Sequence, residues 1–208
     1  MMKSPFDIEH SGVNRIRRQY GDRTKRPIFQ KPFLFTIMML SVVFLYKKAS
    51  SQPFILTSSG FENGQTIPMK FARDGDNLNP PLSWSGAPSN TASFALIMDD
   101  PDAPTKEPWV HWVMYNLPPT LTSLPQGVTT LPTPSQLGLN TWNLQKYDGP
   151  QPPKNQQHLY ILRLYALDMM LFIDDESSST PPKTKEDLLN AMSGHVVAEA
   201  KWTGRFQS

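Results

Sequence analysis

Short apolar runs that each end at a cluster of Pro, Gly, Asn or Asp are the feature that most constrains the fold of this chain. The 208 residues include 21 prolines and 11 glycines, and proline removes a backbone donor and fixes φ. A bundle of long helices is therefore excluded, and the apolar runs are interpreted as strands. The predicted strands lie at 54–57, 66–71, 93–98, 111–117 and 158–167.

One helix is predicted, near the C-terminus. Five apolar side chains recur there close to a period of 3.6 residues, which predicts a helix over 185–201: Leu188, Leu189, Met192, Val196 and Ala200. About forty residues rich in Pro, Gly, Thr and Asn separate the last two predicted strands, and a connection of that length is usually functional. The predicted fold class is all-β dominated, an antiparallel β-sandwich with a C-terminal helix.

The first 51 residues form a leader that differs from the body at 52–208. Residues 1–31 hold eight Lys or Arg against three Asp or Glu, and residues 32–46 carry no charge. This pattern predicts a signal sequence, or an uncleaved signal anchor that associates with a membrane through 32–46. The expected location is exported or membrane-anchored, on the periplasmic side in a bacterium. The alternative is a cytoplasmic protein with a misassigned start and a buried apolar segment.

Composition excludes several functions for the body. Residues 49–208 hold fifteen Asp or Glu against ten Lys or Arg, and an acidic domain without a basic stripe is a poor nucleic-acid binder. The chain has no cysteine, which removes disulfides, thiol nucleophiles and Cys-ligated zinc. No phosphate-binding glycine motif is present, so no cofactor is predicted.

Three polar clusters are candidates for chemistry. The first is the acidic turn with Asp99, Asp100 and Asp102, which has a purely structural reading as a stiff turn. The second is His111, which strand alternation places on one face with Val113 and Tyr115, and which also reads as a hydrogen-bonded core histidine.

The third cluster is His158 and Tyr160, which alternation places on one face above Leu162 and Leu164. His195 is expected to pack within the predicted helix.

Two imidazoles, a phenol and a carboxylate can bind a small anion, with Asp99 orienting an imidazole. The absence of Lys and Arg from this set predicts modest affinity. If protonated imidazoles hold the anion, the affinity falls as the pH rises.

Three alternatives stay open. The Asp and the two His are permissible zinc ligands, although without a recognised spacing. The chain lacks a Gly-x-Ser-x-Gly elbow, but a hydrolase or lyase could use His111 and His158 as acid and base. A protein-interaction module with a vestigial pocket is the third alternative.

Four motifs in order give the sequence a resemblance to the phosphatidylethanolamine-binding protein family, and within it to the bacterial and archaeal Raf-kinase-inhibitor-like branch. They are Asp-Pro-Asp-Ala-Pro at 100–104, Trp-Val-His-Trp-Val at 109–113, Gly-Pro-Gln-Pro-Pro-Lys at 149–154 and His-Leu-Tyr at 158–160. The likeness covers about residues 54–206.

The resemblance implies an antiparallel β-sandwich, a cis-proline near the pocket and a non-enzymatic role. It moves the pocket carboxylate from Asp99 to Asp100, with Asp102 as the second Asp of the motif. The ligand-binding residues that it implies are Asp100, Asp102, Trp109, His111, Pro153, His158 and Tyr160, with Trp109 and Pro153 at the rim. The implied ligand is phosphate or a phospholipid headgroup. The implied protein partner is a kinase or protease that the protein inhibits, and a homodimer is left open.

Two residues depart from the family pattern. Asn155 stands where the family has Gly, and asparagine can adopt the left-handed backbone conformation that glycine supplies. Leu159 stands where the family has Arg, which removes a supporting salt bridge. Since Leu159 points away from His158 and Tyr160 on a strand, the pocket is expected to survive.

Overall fold

The computed structural model of the chain describes residues 52–171 and 184–208. The predicted leader and its apolar segment at 32–46 lie outside these residues, so the expectations for them stay predictions. Within 52–171 and 184–208, no helix is long and apolar enough to cross a membrane.

The larger of two sheets has five antiparallel strands in the order β6-β4-β3-β7-β8. Its strands are β3 (Ser93–Asp100), β4 (Trp109–Leu117), β6 (Gln136–Leu137), β7 (Gln157–Leu167) and β8 (Val196–Gln207). β3 is buried along its whole length, as expected for an inner strand with both faces covered. The end of β3 at Asp100 and the start of β7 lie at the same end of the sheet, because Asp99 pairs with Ile161.

A smaller sheet covers one face of the larger one. It has three antiparallel strands in the order β1-β2-β5, which are Ile55–Thr57, Leu82–Ser85 and Ser123–Leu124. The main core lies between the two sheets, with Leu56, Leu82 and Trp84 from the small sheet against Phe94, Leu96, Met98, Trp112, Met114 and Leu162 from the large one. The predicted antiparallel sandwich is confirmed.

A helix covers part of the opposite face of the large sheet. The helix α1 (Lys185–Ala191) begins at Thr184, whose side chain accepts a hydrogen bond from the Asp187 backbone N–H. Leu188 packs there with Ile97, Val113 and Tyr115 in a second buried cluster. Val113 and Tyr115 therefore share a face, as predicted.

The predicted helix over 185–201 is wrong beyond Ala191. Gly194 has a φ of +82°, a conformation that ends a helix, and the chain then turns into β8. That strand pairs with β7 from Val196 to Gln207. Ladder hydrogen bonds to a neighbouring strand therefore override the helical spacing of Val196 and Ala200.

The predicted strand at 66–71 is also wrong. Only Thr66 forms a bridge, to Arg205, and Met69–Phe71 forms a 3-10 turn. Pro68 has no N–H to give to a ladder, so pairing stops there. The Thr133–Pro134 peptide bond is cis, but neither residue lines the cavity described below.

Candidate functional site

A cavity of about 350 Å³ opens at the end of the large sheet where β3 ends and β4 and β7 begin. Its lining residues are Asp100, Ala103, Pro104, Thr105, Trp109, His111, Trp142, Gln151, Pro152, Pro153 and His158. Five of the seven predicted ligand-binding residues are in this set. The two that do not line the cavity are Asp102 and Tyr160.

Asp100 and His158 form a buried pair at the cavity wall. The His158 ring donates from Nδ1 to Asp100 Oδ2 at 2.7 Å, and both side chains are about 95% buried. Asp100 Oδ1 also accepts the backbone N–H of Asp102 at 2.9 Å. The carboxylate is thus fixed in position by one bond to each oxygen.

Asp99 does not orient an imidazole, which corrects the expectation drawn from the residues alone. Its side chain binds Arg163 at 2.7 Å and also contacts the ammonium of Lys185. Neighbouring residues of a strand point to opposite faces, so Asp99 lies on the face that α1 covers while Asp100 lies at the cavity.

A β-bulge directs His111 to the cavity. Met98 pairs with Trp112, but Asp99 pairs with Val110, so β4 has one residue more than β3 between these pairs. Such a bulge re-aims side chains. The prediction that His111 shares a face with Val113 and Tyr115 is therefore wrong. The His111 ring lies instead against Tyr160, with ring centroids 5.2 Å apart.

The His111 ring has a fixed hydrogen-bonding pattern. Its Nδ1 lies 2.7 Å from the backbone carbonyl oxygen of Asp148, and a carbonyl can only accept, so Nδ1 carries the proton. Burial lowers the pKa of His111 below 6.5, against smaller opposing effects of the Asp148 carbonyl and the Asp100 charge. At neutral pH the ring is uncharged, and Nε2 is an acceptor.

Tyr160 lies beneath the cavity rather than at its surface. Its side chain is fully buried, because β7 carries it inward past His158 to the core. The hydroxyl has no hydrogen-bond partner of good geometry in the described part of the chain, although Asp100 and the Gln151 backbone are polar neighbours. Burial, with the Asp100 charge, raises the pKa of Tyr160 far above its usual range.

Asp102 stabilises the turn after β3 instead of lining the cavity. Its Oδ2 accepts the backbone N–H of Leu159 at 2.8 Å, which joins the acidic turn to the start of β7. Asn155 has a φ of +65°, so the expectation that it replaces glycine in the left-handed region is confirmed.

Asp148 anchors the loop behind His111. Its buried carboxylate accepts hydrogen bonds from Asn77 at 3.0 Å and Asn140 at 2.9 Å, and pairs with Lys146 at 3.2 Å. Burial raises the pKa of Asp148, but these three partners outweigh it and the net shift is downward. The sequence gives no local sign that this carboxylate is buried.

Trp142 is a cavity residue that the motifs do not mark. Its ring lies edge-on to Trp109 at 5.2 Å and to His111 at 5.3 Å. Arg73 stacks on the Trp142 ring at 4.2 Å and donates to Gln151 at 3.1 Å. The unusual length of the loop after β4 is the one signal that could have drawn attention to it.

Two other expectations concern histidines and metals. His195 lies in the turn before β8, not in a helix, and pairs with Asp168 at 2.9 Å with both side chains exposed. No three His, Asp or Glu side chains within 52–171 and 184–208 are grouped so that they could hold a metal ion. The cavity lining in these ranges also contains no Lys or Arg.

Comparisons with known proteins agree with this fold. The sequence model described as phosphatidylethanolamine-binding protein matches residues 57–207. A UPF0098 protein of Methanothermobacter thermautotrophicus is 44% identical over 155 residues, covering 73% of this chain and 97% of that protein.

Two solved structures are similar over nearly their whole length. One is a phosphatidylethanolamine-binding protein homologue from Chlamydia trachomatis, with a TM-score of 0.67 and 37% identity; it covers 76% of this chain and 99% of its own. The other is Escherichia coli YbcL, described as a member of the mammalian family, with a TM-score of 0.67, 28% identity and the same coverage.

Proposed function

This chain belongs to the phosphatidylethanolamine-binding protein family, and we propose that it is a non-enzymatic binding protein for a small ligand with a phosphate or carboxylate group. The observation that carries the proposal is the convergence of Asp100, His111 and His158 on one cavity of about 350 Å³. These residues come from three separate strands. A cavity with an apolar wall and a few polar groups is the usual form of a small-molecule site.

The ligand is held by hydrogen bonds rather than by a full positive charge. Arg73 is not among the cavity-lining residues, and its guanidinium stacks on the ring of Trp142, which is one of them. The Trp109 indole N–H is buried without a partner in the described ranges, so it is available to an anion oxygen. An uncharged donor of this kind supports binding of modest affinity.

The test is calorimetric titration of the full chain with inorganic phosphate at pH 6. We expect saturable binding at one site, which is weakened at least about tenfold in His158→Phe because Asp100 loses its partner and its unpaired carboxylate repels the anion. The matched control is His195→Phe, which removes an exposed histidine outside the cavity and leaves the affinity unchanged. Equal affinities in both variants, or no binding at all, would contradict the proposal.

Product analysis distinguishes the binding protein from the alternative, a hydrolase or lyase that uses acid–base catalysis. Release of product from a phosphoester or ester panel, lost in His111→Ala, would favour the enzyme. The predicted kinase or protease partner and the exported location stay predictions.

A further inference from the structure

The strand β8 forms one edge of the large sheet, and the C-terminal part of that edge is already covered. The outward backbone groups of Thr203 and Arg205 make four hydrogen bonds to the segment 63–67. These bonds leave no place for a further strand along that part of β8.

The preceding part of the edge is open. Glu199 and Lys201 continue the alternation of Thr203 and Arg205, because β8 pairs with β7 there without a register shift. Their N–H and C=O groups therefore also point outward. No backbone group in the ranges 52–171 and 184–208 bonds to these four outward groups. A row of unpaired groups at a sheet edge is a template for another strand.

We propose that this open edge, residues 198–202, pairs with the same edge of a second copy of this chain. A twofold axis at Ala200 makes the two strands antiparallel and places each Glu199 opposite the partner's Lys201. Each such pair exchanges two backbone hydrogen bonds, which satisfies every outward group of the open edge. Neither charged residue lines the cavity, so the proposal goes beyond the proposed function.

The charges on the open edge favour a second copy as its occupant. The side chains of Glu199 and Lys201 lie on one face of β8, and both residues are exposed. The twofold axis at Ala200 joins opposite charges in both pairs, whereas an axis at Glu199 or at Lys201 would place like charges directly opposite each other. Arg163 lies 3.8 Å from Glu199 but 2.7 Å from Asp99, so the Glu199 carboxylate stays available to the partner.

The twofold register also agrees with both ends of the open edge. Val197 is an extra residue of β8 between two successive pairs with β7, so it is bulged out of the ladder. In the proposed dimer Val197 lies beside the partner's Thr203, whose outward groups are already bonded. Pairing therefore stops at the same point in both copies, and so short a ladder predicts a weak dimer.

Sedimentation equilibrium of the full chain, from micromolar to millimolar concentration, measures the association. We expect a reversible equilibrium between monomer and dimer. Glu199→Lys and Lys201→Glu each place like charges opposite each other in both pairs, so each should weaken the dimer at least about tenfold. The control Lys106→Glu changes an exposed residue away from the edge and should associate as the wild type does.

An equimolar mixture of Glu199→Lys and Lys201→Glu is the sharpest form of this test. One variant carries two lysines on the edge and the other carries two glutamates, so every pair between them again joins opposite charges. The mixture should therefore recover the wild-type association, which a misfolded variant could not do. A chain that stays monomeric throughout, or a mixture that associates no better than either variant alone, would overturn the inference.

Amide hydrogen exchange locates the contact. Exchange of the Glu199 and Lys201 amides should slow as the concentration rises, whereas that of the Thr203 amide, which is already bonded within one copy, should not change. A dimer without this slowing would lie at another surface. Slow exchange of both amides at every concentration would show that another part of the chain covers the edge. Either result would overturn the inference and leave the proposed function in place, because phosphate binding is measured separately.

Discussion

Replacement of the buried Asp148 carboxylate by a methyl group, Asp148→Ala, should strongly destabilise the protein. The carboxylate accepts the side-chain amides of Asn77 and Asn140, and Asn140 is only 3% exposed. Each amide N–H that loses its acceptor costs about 1–3 kcal/mol, less for the half-buried Asn77. The Asn140 amide keeps one acceptor, the Lys146 carbonyl at 3.3 Å. The Lys146 ammonium is about half exposed and adds little. The expected loss in the free energy of unfolding is about 2–4 kcal/mol.

Urea denaturation of the full chain at pH 7 measures this loss. Asp148→Asn keeps one acceptor oxygen and should lose about half as much. The control Asp168→Ala removes a carboxylate that is 42% exposed and should change stability by less than about 0.5 kcal/mol. A loss in Asp148→Ala no larger than in this control would refute the reasoning.

The same variant predicts a pH dependence. Because the pKa of Asp148 is lowered from 3.8 in the folded protein, its stabilisation is complete well above that value. It is lost as the pH falls through the folded pKa. The difference in stability between the wild type and Asp148→Ala should therefore stay constant from pH 5 to 8 and shrink in stronger acid. A difference that persists unchanged at pH 2 would show that the charge plays no part.

Three further changes have defined outcomes. Tyr147→Phe removes the donor to the buried Phe71 carbonyl and should cost about 1–3 kcal/mol in urea denaturation. Tyr160→Phe removes a hydroxyl that makes no hydrogen bond of good geometry to the described residues, so it should cost less than Tyr147→Phe. The reverse order would contradict the described bonds. A Cβ on Gly149 would lie 2.0 Å from the Phe71 backbone oxygen, so Gly149→Ala should lower stability by roughly 3 kcal/mol, and wild-type stability would contradict that approach. Burial lowers the pKa of His111 below 6.5 in the folded protein, so as the pH falls the unfolded chain binds a proton first. The free energy of unfolding should therefore fall as the pH drops below 6.5. His111→Asn should lack this contribution to the pH dependence.

The strands that form the site could be predicted because their residue patterns match the buried positions that these strands occupy in the fold. β7 is a continuous apolar and aromatic run, and alternation correctly places Tyr160 on the face of Leu162. The depth of Tyr160 could not be predicted, since it depends on how far the loop after β4 folds over the strand. β8 was missed for a related reason: Val196 and Ala200 fit a helical period, and only the partner strand β7 decides between the two structures.

The two cavity histidines differ in the same way, because the position of His158 could be predicted from the sequence and that of His111 could not. The resemblance places His158 with Asp100, and the structure brings them to 2.7 Å. His111 reaches the cavity through a bulge in β4, and register relative to a partner strand is invisible in one sequence. Burial lowers the pKa of His111, so at neutral pH this ring does not supply the protonated imidazole on which the conditional pH dependence of anion binding rests.

The most direct test of a shared site at Asp100, His111 and His158 is nitrogen NMR of the histidine rings during titration with methyl phosphate at pH 6. The chain has four histidines, and His195 lies outside the cavity as an internal reference. The account predicts that the His111 and His158 ring signals move together and saturate together while those of His195 stay fixed. Movement of neither cavity ring, or equal movement of all three, would contradict it.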